Sequence, residues 1–242
     1  MIFSCKIEVD TFVLQSLNCN KEKNMKTNFL GDSITEGALA NTIEGRYTTL
    51  VANHFGAEEC NFGVSGTRIA KQRKRTNNPD DDVFMCRAVK MPTDADFTFV
   101  FGGTNDYGHG DAELGTFEDR DDYTFYGAFH NLVAYMVATF GEKLCFILPI
   151  PRFDQDNPYG DGSKDEPTAP MSAYIEAEKE VLAYYGVEYL DLSDKFYIPK
   201  TQQDDGNLYA DGLHPNARGH RFLANCLIEY LKNRLKAKND IL

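Results

Sequence analysis

The sequence predicts a doubly wound α/β fold, in which helices cover both faces of a central parallel sheet of about five strands. Short apolar runs without polar alternation recur along the chain, most clearly at Phe97–Phe101 and Leu144–Leu148. Strands of this kind are buried on both faces. Segments with helical apolar spacing lie between them, as the crossovers of parallel strands require. The 242 residues are enough for one domain with a sizeable core.

The expected strands and helices alternate from residue 26 onward. The expected strands are, in order, Thr27–Leu30, Cys60–Phe62, Phe97–Phe101, Leu144–Leu148 and Val187–Leu192. The expected helices are Arg46–Phe55 and the apolar stripes that run over Phe125–Phe140, Met171–Tyr185 and Phe222–Leu235. Two charged segments, 107–122 and 152–170, interrupt the alternation and are expected to be long loops.

Residues 1–24 stand outside this alternation and are expected to be an N-terminal extension of a single domain at 25–242. Ile7–Val13 is apolar enough for an additional edge strand. A surface appendage, or a segment upstream of a native start at Met25, explains the same residues. The first central strand, Thr27–Leu30, is also more polar than a buried strand usually is.

Charge and composition exclude several classes of protein. The formal net charge is −12, so a nucleic-acid partner is not expected, because a negative protein repels phosphate backbones. No apolar run reaches the length of a membrane span, so integral membrane association is not expected either. None of the six cysteines has C-x-x-C spacing, and the N-terminus does not resemble a secretory signal. A cytoplasmic location is therefore the expectation.

Polar turns follow the first two expected strands, at the sheet edge where doubly wound folds bind ligands. Ser33, within Gly31-Asp32-Ser33, stands at a strand-to-helix turn, where helix N–H groups lie near its hydroxyl. A structural N-cap explains this serine as well. The second turn, Gly63-Val64-Ser65-Gly66, lets the backbone approach a ligand closely, although ordinary turns share this glycine pattern.

Two further polar blocks complete a set of groups for acyl transfer. Asn105, after the third strand, can donate to a developing oxyanion, or it can cap an Asx turn. Asp211 lies three residues before His214, so it can accept the Nδ1–H of the ring and leave Nε2 free to take a proton from serine. A surface pair is the alternative. Together the four blocks supply a nucleophile, a base, its partner and oxyanion donors.

These four blocks, in this order, resemble those of the GDSL esterases and lipases, also called SGNH hydrolases, over residues 26 to about 235. The resemblance implies that Ser33 is the nucleophile, His214 the general base and Asp211 its partner. It implies that the oxyanion hole is formed by the backbone N–H groups of Ser33 and Gly66 and by the side-chain amide of Asn105. It also implies a flavodoxin-like three-layer α/β/α sandwich that needs no cofactor and no metal.

The expected function is hydrolysis of a small-molecule carboxylic ester through an acyl-enzyme on serine. Polar residues in the flanking loops favour short acyl groups on polar alcohols such as carbohydrates; these residues are Tyr107, His109, Asp111, Arg152, Asp154 and Tyr159. A lipase, a thioesterase or an acyltransferase would use the same catalytic residues. A non-catalytic ligand-binding module is a further alternative. So is a metal-dependent phosphoesterase, with Asp32, Asp106, His109, Asp111 and His214 as ligands.

Overall fold

A computed structural model describes residues 25–74, 83–196 and 207–239. The strands are β1 (Lys26–Gly31), β2 (Glu58–Gly63), β3 (Phe97–Phe101), β4 (Leu144–Ile147) and β5 (Tyr189–Leu190). The helices are α1 (Ser33–Glu36), α2 (Tyr47–Phe55), α3 (Phe84–Ala88), α4 (Thr104–His109), α5 (Phe125–Phe140), α6 (Met171–Tyr185) and α7 (Ala217–Asn239). The proposed edge strand at Ile7–Val13 and the rest of the N-terminal extension lie outside these residues.

The five strands form one parallel sheet in the order β2-β1-β3-β4-β5. This is the strand order of flavodoxin-like folds, which bind ligands where the chain direction across the sheet reverses. The reversal lies at β1, which pairs with both β2 and β3. The α/β class, the parallel sheet and the number of strands are therefore confirmed.

Helices cover both faces of the sheet, and the two faces have separate apolar cores. Along β1, Phe29 belongs to one core and Leu30 to the other, as the alternation of side chains in a strand requires. The core that contains Leu30 includes residues of α3, α5 and α6, whereas the core that contains Phe29 includes residues of α2 and α7. The fold is thus the three-layer sandwich that was expected.

The side-chain amide of Asn28, a polar residue in the middle of β1, donates hydrogen bonds to a neighbouring strand and to the segment before it. Asn28 is fully buried, and its Nδ2 donates to the carbonyl of Pro92 at 2.9 Å and to the hydroxyl of Thr98 at 3.4 Å. A buried amide with partners costs far less than an unpartnered one. The Nδ2 group of Asn28 is therefore accommodated at the central position of β1.

Most element boundaries lie within two residues of the expectation, and the shorter β5 and the earlier start of α7 each have a clear local cause. β5 covers only Tyr189–Leu190, because Gly186 ends α6 in a left-handed conformation and Val187 still donates to the carbonyl of Leu182. α7 starts at Ala217, five residues before the expected stripe, since the Asn216 side chain accepts from the N–H groups of the first turn. Within the described ranges, no helix combines the length and hydropathy needed to cross a bilayer.

Candidate active site

The strand register places the carboxyl ends of β1, β2 and β3 next to one another at one edge of the sheet. Gly31, the last residue of β1, is paired with Gly63 of β2 and with Phe101 of β3. The turns that follow these strands therefore start side by side at the carboxyl edge. Three of the four polar blocks belong to these turns, and the fourth comes from the loop before α7.

The first turn holds Ser33 at the start of α1. Asp32 is the N-cap, and its carboxylate accepts from the N–H of Ile34 at 3.0 Å. Asp32, and not the serine, therefore caps the helix. A side chain at Gly31 would meet the Thr35 hydroxyl at 2.0 Å and the Phe101 carbonyl at 2.8 Å, so only glycine fits there. These contacts leave the Ser33 hydroxyl available for another partner.

That partner is His214. The Ser33 Oγ lies 2.8 Å from Nε2 of the ring, and Nδ1 lies 2.7 Å from Oδ2 of Asp211. The second carboxylate oxygen, Oδ1, accepts from the backbone N–H groups of Leu213 at 3.0 Å and of His214 at 2.7 Å. With the Nδ1 proton directed at Asp211, Nε2 is left as an acceptor for the serine proton.

The electrostatics of Asp211 support this protonation pattern. Partial burial raises the pKa of its carboxyl, but the hydrogen bonds from the His214 ring and from the backbone outweigh burial, so the pKa is lowered overall. The carboxylate therefore stays ionised and continues to accept the Nδ1–H. Asp32 lies behind the serine, and burial raises the pKa of this carboxyl to about 6.

The second and third turns meet beside the serine turn. The backbone at Gly66 is left-handed, with φ 76°, a conformation that favours glycine. Asn105 is buried in the first turn of α4, and its Nδ2 donates to the carbonyl of Thr67 at 3.0 Å. The side-chain amide of Asn105 therefore links the turn after β3 to the turn after β2, and it does not cap an Asx turn. Two of the expected oxyanion donors, Gly66 and Asn105, thus belong to one connected group.

A buried arginine that the sequence analysis did not identify, Arg87, forms hydrogen bonds with several of these turns. Arg87 of α3 donates through Nη1 to the carbonyls of Gly31, at 2.6 Å, and of Phe62. Its Nη2 donates to the Thr67 hydroxyl at 2.7 Å. The guanidinium thereby links the ends of β1 and β2 to the turn that carries Gly66. In the sequence, Arg87 stands out only as a charged residue within the mainly apolar segment Phe84–Ala88. This local pattern does not predict its contacts with residues that are distant in sequence.

The aspartates of the phosphoesterase alternative have other partners. Asp106 is buried and accepts from the N–H groups of Ile69 and Ala70, the closest at 2.9 Å. Asp111 accepts from the N–H groups of Arg73 at 2.7 Å and Lys74 at 2.8 Å. Over the part of the chain that the structure describes, no three His, Cys, Asp or Glu side chains converge as metal ligands.

A cavity of about 630 Å³ lies next to these turns. Its walls come from the segment after Gly66, the segment after Asn105 and the loop at 163–168. His109 is in the wall, and its Nε2 lies 3.2 Å from the carbonyl of Gly66. Most of the lining side chains are polar or charged: Arg68, Gln72, Arg73, Lys74, His109, Asp111, Glu113, Ser163, Lys164, Asp165, Glu166 and Thr168. The cavity therefore suits a polar ligand.

Comparison with known proteins agrees with this geometry. Residues 29–222 match the model of the GDSL-like lipase/acylhydrolase family. A crystal structure of a protein from Lactobacillus plantarum is 30% identical and superposes with a TM-score of 0.72, over 87% of this chain and 97% of that one. No curated protein matches the chain significantly.

Two more distant crystal structures share the fold. One is a lipase/acylhydrolase from Enterococcus faecalis, with 21% identity, a TM-score of 0.61, and coverage of 87% of this chain and 96% of that one. The other is a carbohydrate acetylesterase family member from Sinorhizobium meliloti, with 16% identity, a TM-score of 0.61, and coverage of 88% and 100%. The match of the family model over most of the chain, together with the L. plantarum relative, shows that this protein belongs to the GDSL-like lipase/acylhydrolase family and is an ester hydrolase.

Proposed function

We propose that this chain hydrolyses carboxylic esters through an acyl-enzyme on Ser33, and that its substrates carry short acyl groups on polar alcohols such as carbohydrates. The observation that carries the proposal is the continuous hydrogen-bond chain from Ser33 Oγ through His214 to Asp211, with distances of 2.8 and 2.7 Å. A serine hydroxyl is a weak nucleophile unless a base removes its proton, and this chain provides the base.

In the first half of the reaction, Ser33 Oγ attacks the ester carbonyl carbon and its proton passes to Nε2 of His214. The carbonyl oxygen becomes an oxyanion. The bond from carbon to the alcohol oxygen then breaks, and Nε2 returns the proton to the departing alcohol. Asp211 stabilises the doubly protonated ring that exists between these two transfers. The acyl group is left on Ser33.

In the second half, water replaces the alcohol. His214 removes a proton from the water as it attacks the acyl carbon, and the same proton then returns to Ser33 Oγ when the carboxylic acid leaves. The backbone N–H groups of Ser33 and Gly66 and the Asn105 amide are the proposed oxyanion donors in both halves. Donors held rigidly before the reaction stabilise this charge without reorganising, and the contacts of Arg87 and Asp106 provide such rigidity.

The choice of substrate rests on the cavity beside the proposed oxyanion donors. Its lining is mainly polar and charged, which disfavours a long alkyl chain and favours a group that forms several hydrogen bonds. A carbohydrate acetylesterase family member among the proteins of similar fold is compatible with this choice.

A series of 4-nitrophenyl esters from acetate to octanoate, measured beside acetylated glucose and acetylated xylose, tests the proposal. We expect kcat/KM to be highest for acetate or propionate and to fall with longer chains, and we expect acetate release from the sugars. A kcat/KM that rises to octanoate, with no release from the sugars, would identify a lipase-like specificity instead. Ser33→Ala, tested in parallel, reports any hydrolysis that does not depend on the serine.

A further inference from the structure

Lys164 is a half-buried cation in the wall of the cavity beside the proposed site. Its Nζ donates to the carbonyl of Asp106 at 3.1 Å and to the hydroxyl of Thr168 at 3.2 Å. The ammonium also lies 6.0 Å from the ring centre of Tyr107 and 5.8 Å from that of Tyr174. Both hydrogen-bond partners are neutral. Among the described residues, no carboxylate forms an ion pair with Lys164.

The neighbouring charges in the cavity wall are paired with one another. Arg73 forms an ion pair with Glu113 at 2.9 Å, and Lys74 forms one with Asp165. Asp111 accepts two backbone N–H groups. Arg73, Glu113, Lys74 and Asp165 pair with each other at the more exposed side of the cavity, and none of them forms an ion pair with Lys164.

Burial makes the lone ammonium of Lys164 unfavourable. It lowers the pKa of Lys164 to about 8, although the negative charges of Asp106, Asp161 and Asp111 act in the opposite direction; Arg152 adds to the lowering. A half-buried cation that forms no direct ion pair is stabilised when an anion binds next to it.

Lys164 and the wall of the cavity contact the two segments that carry proposed oxyanion donors. Asp106, the partner of Lys164, directly follows Asn105, one of the proposed oxyanion donors. On the other side of the cavity, His109 contacts the carbonyl of Gly66, the residue of another proposed donor. Lys164 and His109 thus line one cavity, and each contacts the backbone of the segments that carry the proposed donors.

We infer that the substrate carries a carboxylate in addition to the ester, and that Lys164 binds this carboxylate in the cavity next to the proposed oxyanion donors. The inference rests on the proposed function, because it concerns the substrate of the same site. The carboxylate supplies the direct ion-pair partner that Nζ of Lys164 lacks among the described residues. Hydrogen bonds between two charged groups are about twice as strong as those between neutral groups, so Lys164 selects for acidic substrates.

The carboxylate can belong to the acyl group or to the alcohol, and two matched pairs of esters distinguish these sources. Monoethyl succinate against ethyl levulinate tests a carboxylate on the acyl side. Acetylated glucuronic acid against acetylated glucose tests a carboxylate on the alcohol side. We expect kcat/KM to favour the acidic member by about 10- to 100-fold in one of the two pairs.

Two variants assign this preference to Lys164. Lys164→Met keeps an unbranched side chain without its charge, and we expect the ratio of kcat/KM between the acidic and neutral esters to fall at least tenfold. Lys179→Met removes a cation outside this cavity that is paired with Glu176 and Asp191, and we expect the ratio to stay within about twofold of the wild type. Since both esters are measured on the same protein sample, the ratio does not depend on how much of a variant folds.

Should Lys164→Met fail to fold, inhibition of the wild-type enzyme replaces it. Succinate should inhibit hydrolysis of ethyl levulinate competitively, and the uncharged succinamide should inhibit at least tenfold more weakly. Equal kcat/KM for the acidic and neutral esters in both pairs, or a preference that Lys164→Met retains, would overturn the inference and leave the proposed function intact. Failure to hydrolyse any of the four esters would overturn both.

Discussion

The Ser33 hydroxyl and the His214 ring are 181 residues apart in sequence and 2.8 Å apart in space. The fold brings them together because Ser33 follows the central strand β1, while His214 precedes α7, which packs with α2 on one face of the sheet. His220 of α7 strengthens this connection, since its Nε2 donates to the carbonyl of Ala38, shortly after α1. The loop before α7 is thereby held against the serine turn.

Replacing the base should cost more activity than replacing its partner. His214→Ala removes the group that takes the Ser33 proton, so we expect kcat to fall by about 10⁵–10⁶. Asp211→Ala leaves the ring with its contact to Ser33, and we expect a loss of about 10⁴. Steady-state kinetics on an aryl acetate measure both. Equal activity of His214→Ala and the wild type would remove the histidine from the mechanism.

Asn105→Ala should lower kcat by about 10²–10³ while KM changes only a few-fold, because an oxyanion donor acts mainly in the transition state. It should also lower the melting temperature, since Nδ2 holds the carbonyl of Thr67. Asn131→Ala is the control: this residue also bonds a distant carbonyl, that of Arg120, but it lies on α5, outside the site. A destabilised Asn105→Ala with wild-type kcat would assign the residue a structural role alone.

Glu178 should make stability depend on pH. Its side chain is fully buried on α6, and Oε1 approaches the backbone of Gly103 so closely that a Cβ there would lie 2.2 Å away. Burial raises the pKa of Glu178 well above its ordinary value of 4.5, and the charges of Asp106 and Asp32 add to this effect. The folded chain therefore holds a proton that the unfolded chain loses near pH 4.5.

Because the folded-state pKa of Glu178 is raised, its contribution to stability is present below pH 4.5 and is lost as the pH rises through the folded-state value. Glu178→Gln cannot ionise, so the variant does not lose this part of its stability when the pH rises. We expect the melting temperature of Glu178→Gln relative to the wild type to increase between pH 5 and pH 8. Glu176→Gln, an exposed position on the same helix, is the control and should show no such trend. If the difference in melting temperature between Glu178→Gln and the wild type were the same from pH 5 to pH 8, the prediction would be contradicted.

A chain that starts at Met25 should remain soluble and active, since residues 1–24 contain none of the four polar blocks and the family match starts at residue 29. Gel filtration and the aryl acetate assay on the truncated and full chains measure this. Insolubility of the truncated chain would show that Ile7–Val13 packs onto the domain.

Local apolar patterns predicted the fold because they coincide with the buried surfaces. Phe97–Phe101, Phe125–Phe140 and Met171–Tyr185 have the predicted ends, since each apolar pattern stops where the element leaves the core. β5 is shorter than its apolar run, because only two residues are paired with β4. The short helices α1, α3 and α4 have too few residues to show a period.

The residues proposed for the site were predicted from local sequence blocks, but the residues that hold these blocks in place were not predicted. Ser33, Asp211 and His214 stand in short local blocks that chemistry makes recognisable. Arg87 and Lys164 act through partners that are far away in sequence, such as Gly31 and Asp106. A contact of this kind leaves no local pattern, so only the structure identifies it.

The most direct test of the account is the site of covalent labelling by a fluorophosphonate. The reagent reacts with a serine hydroxyl only where a base activates it, so intact mass should increase by one adduct and peptide mapping should place that adduct on Ser33. Ser33→Ala and His214→Ala should not be labelled, and esterase activity should disappear in step with labelling of the wild type. An adduct on another serine, such as Ser65, or full activity after labelling, would contradict the central claim that Ser33 is the nucleophile.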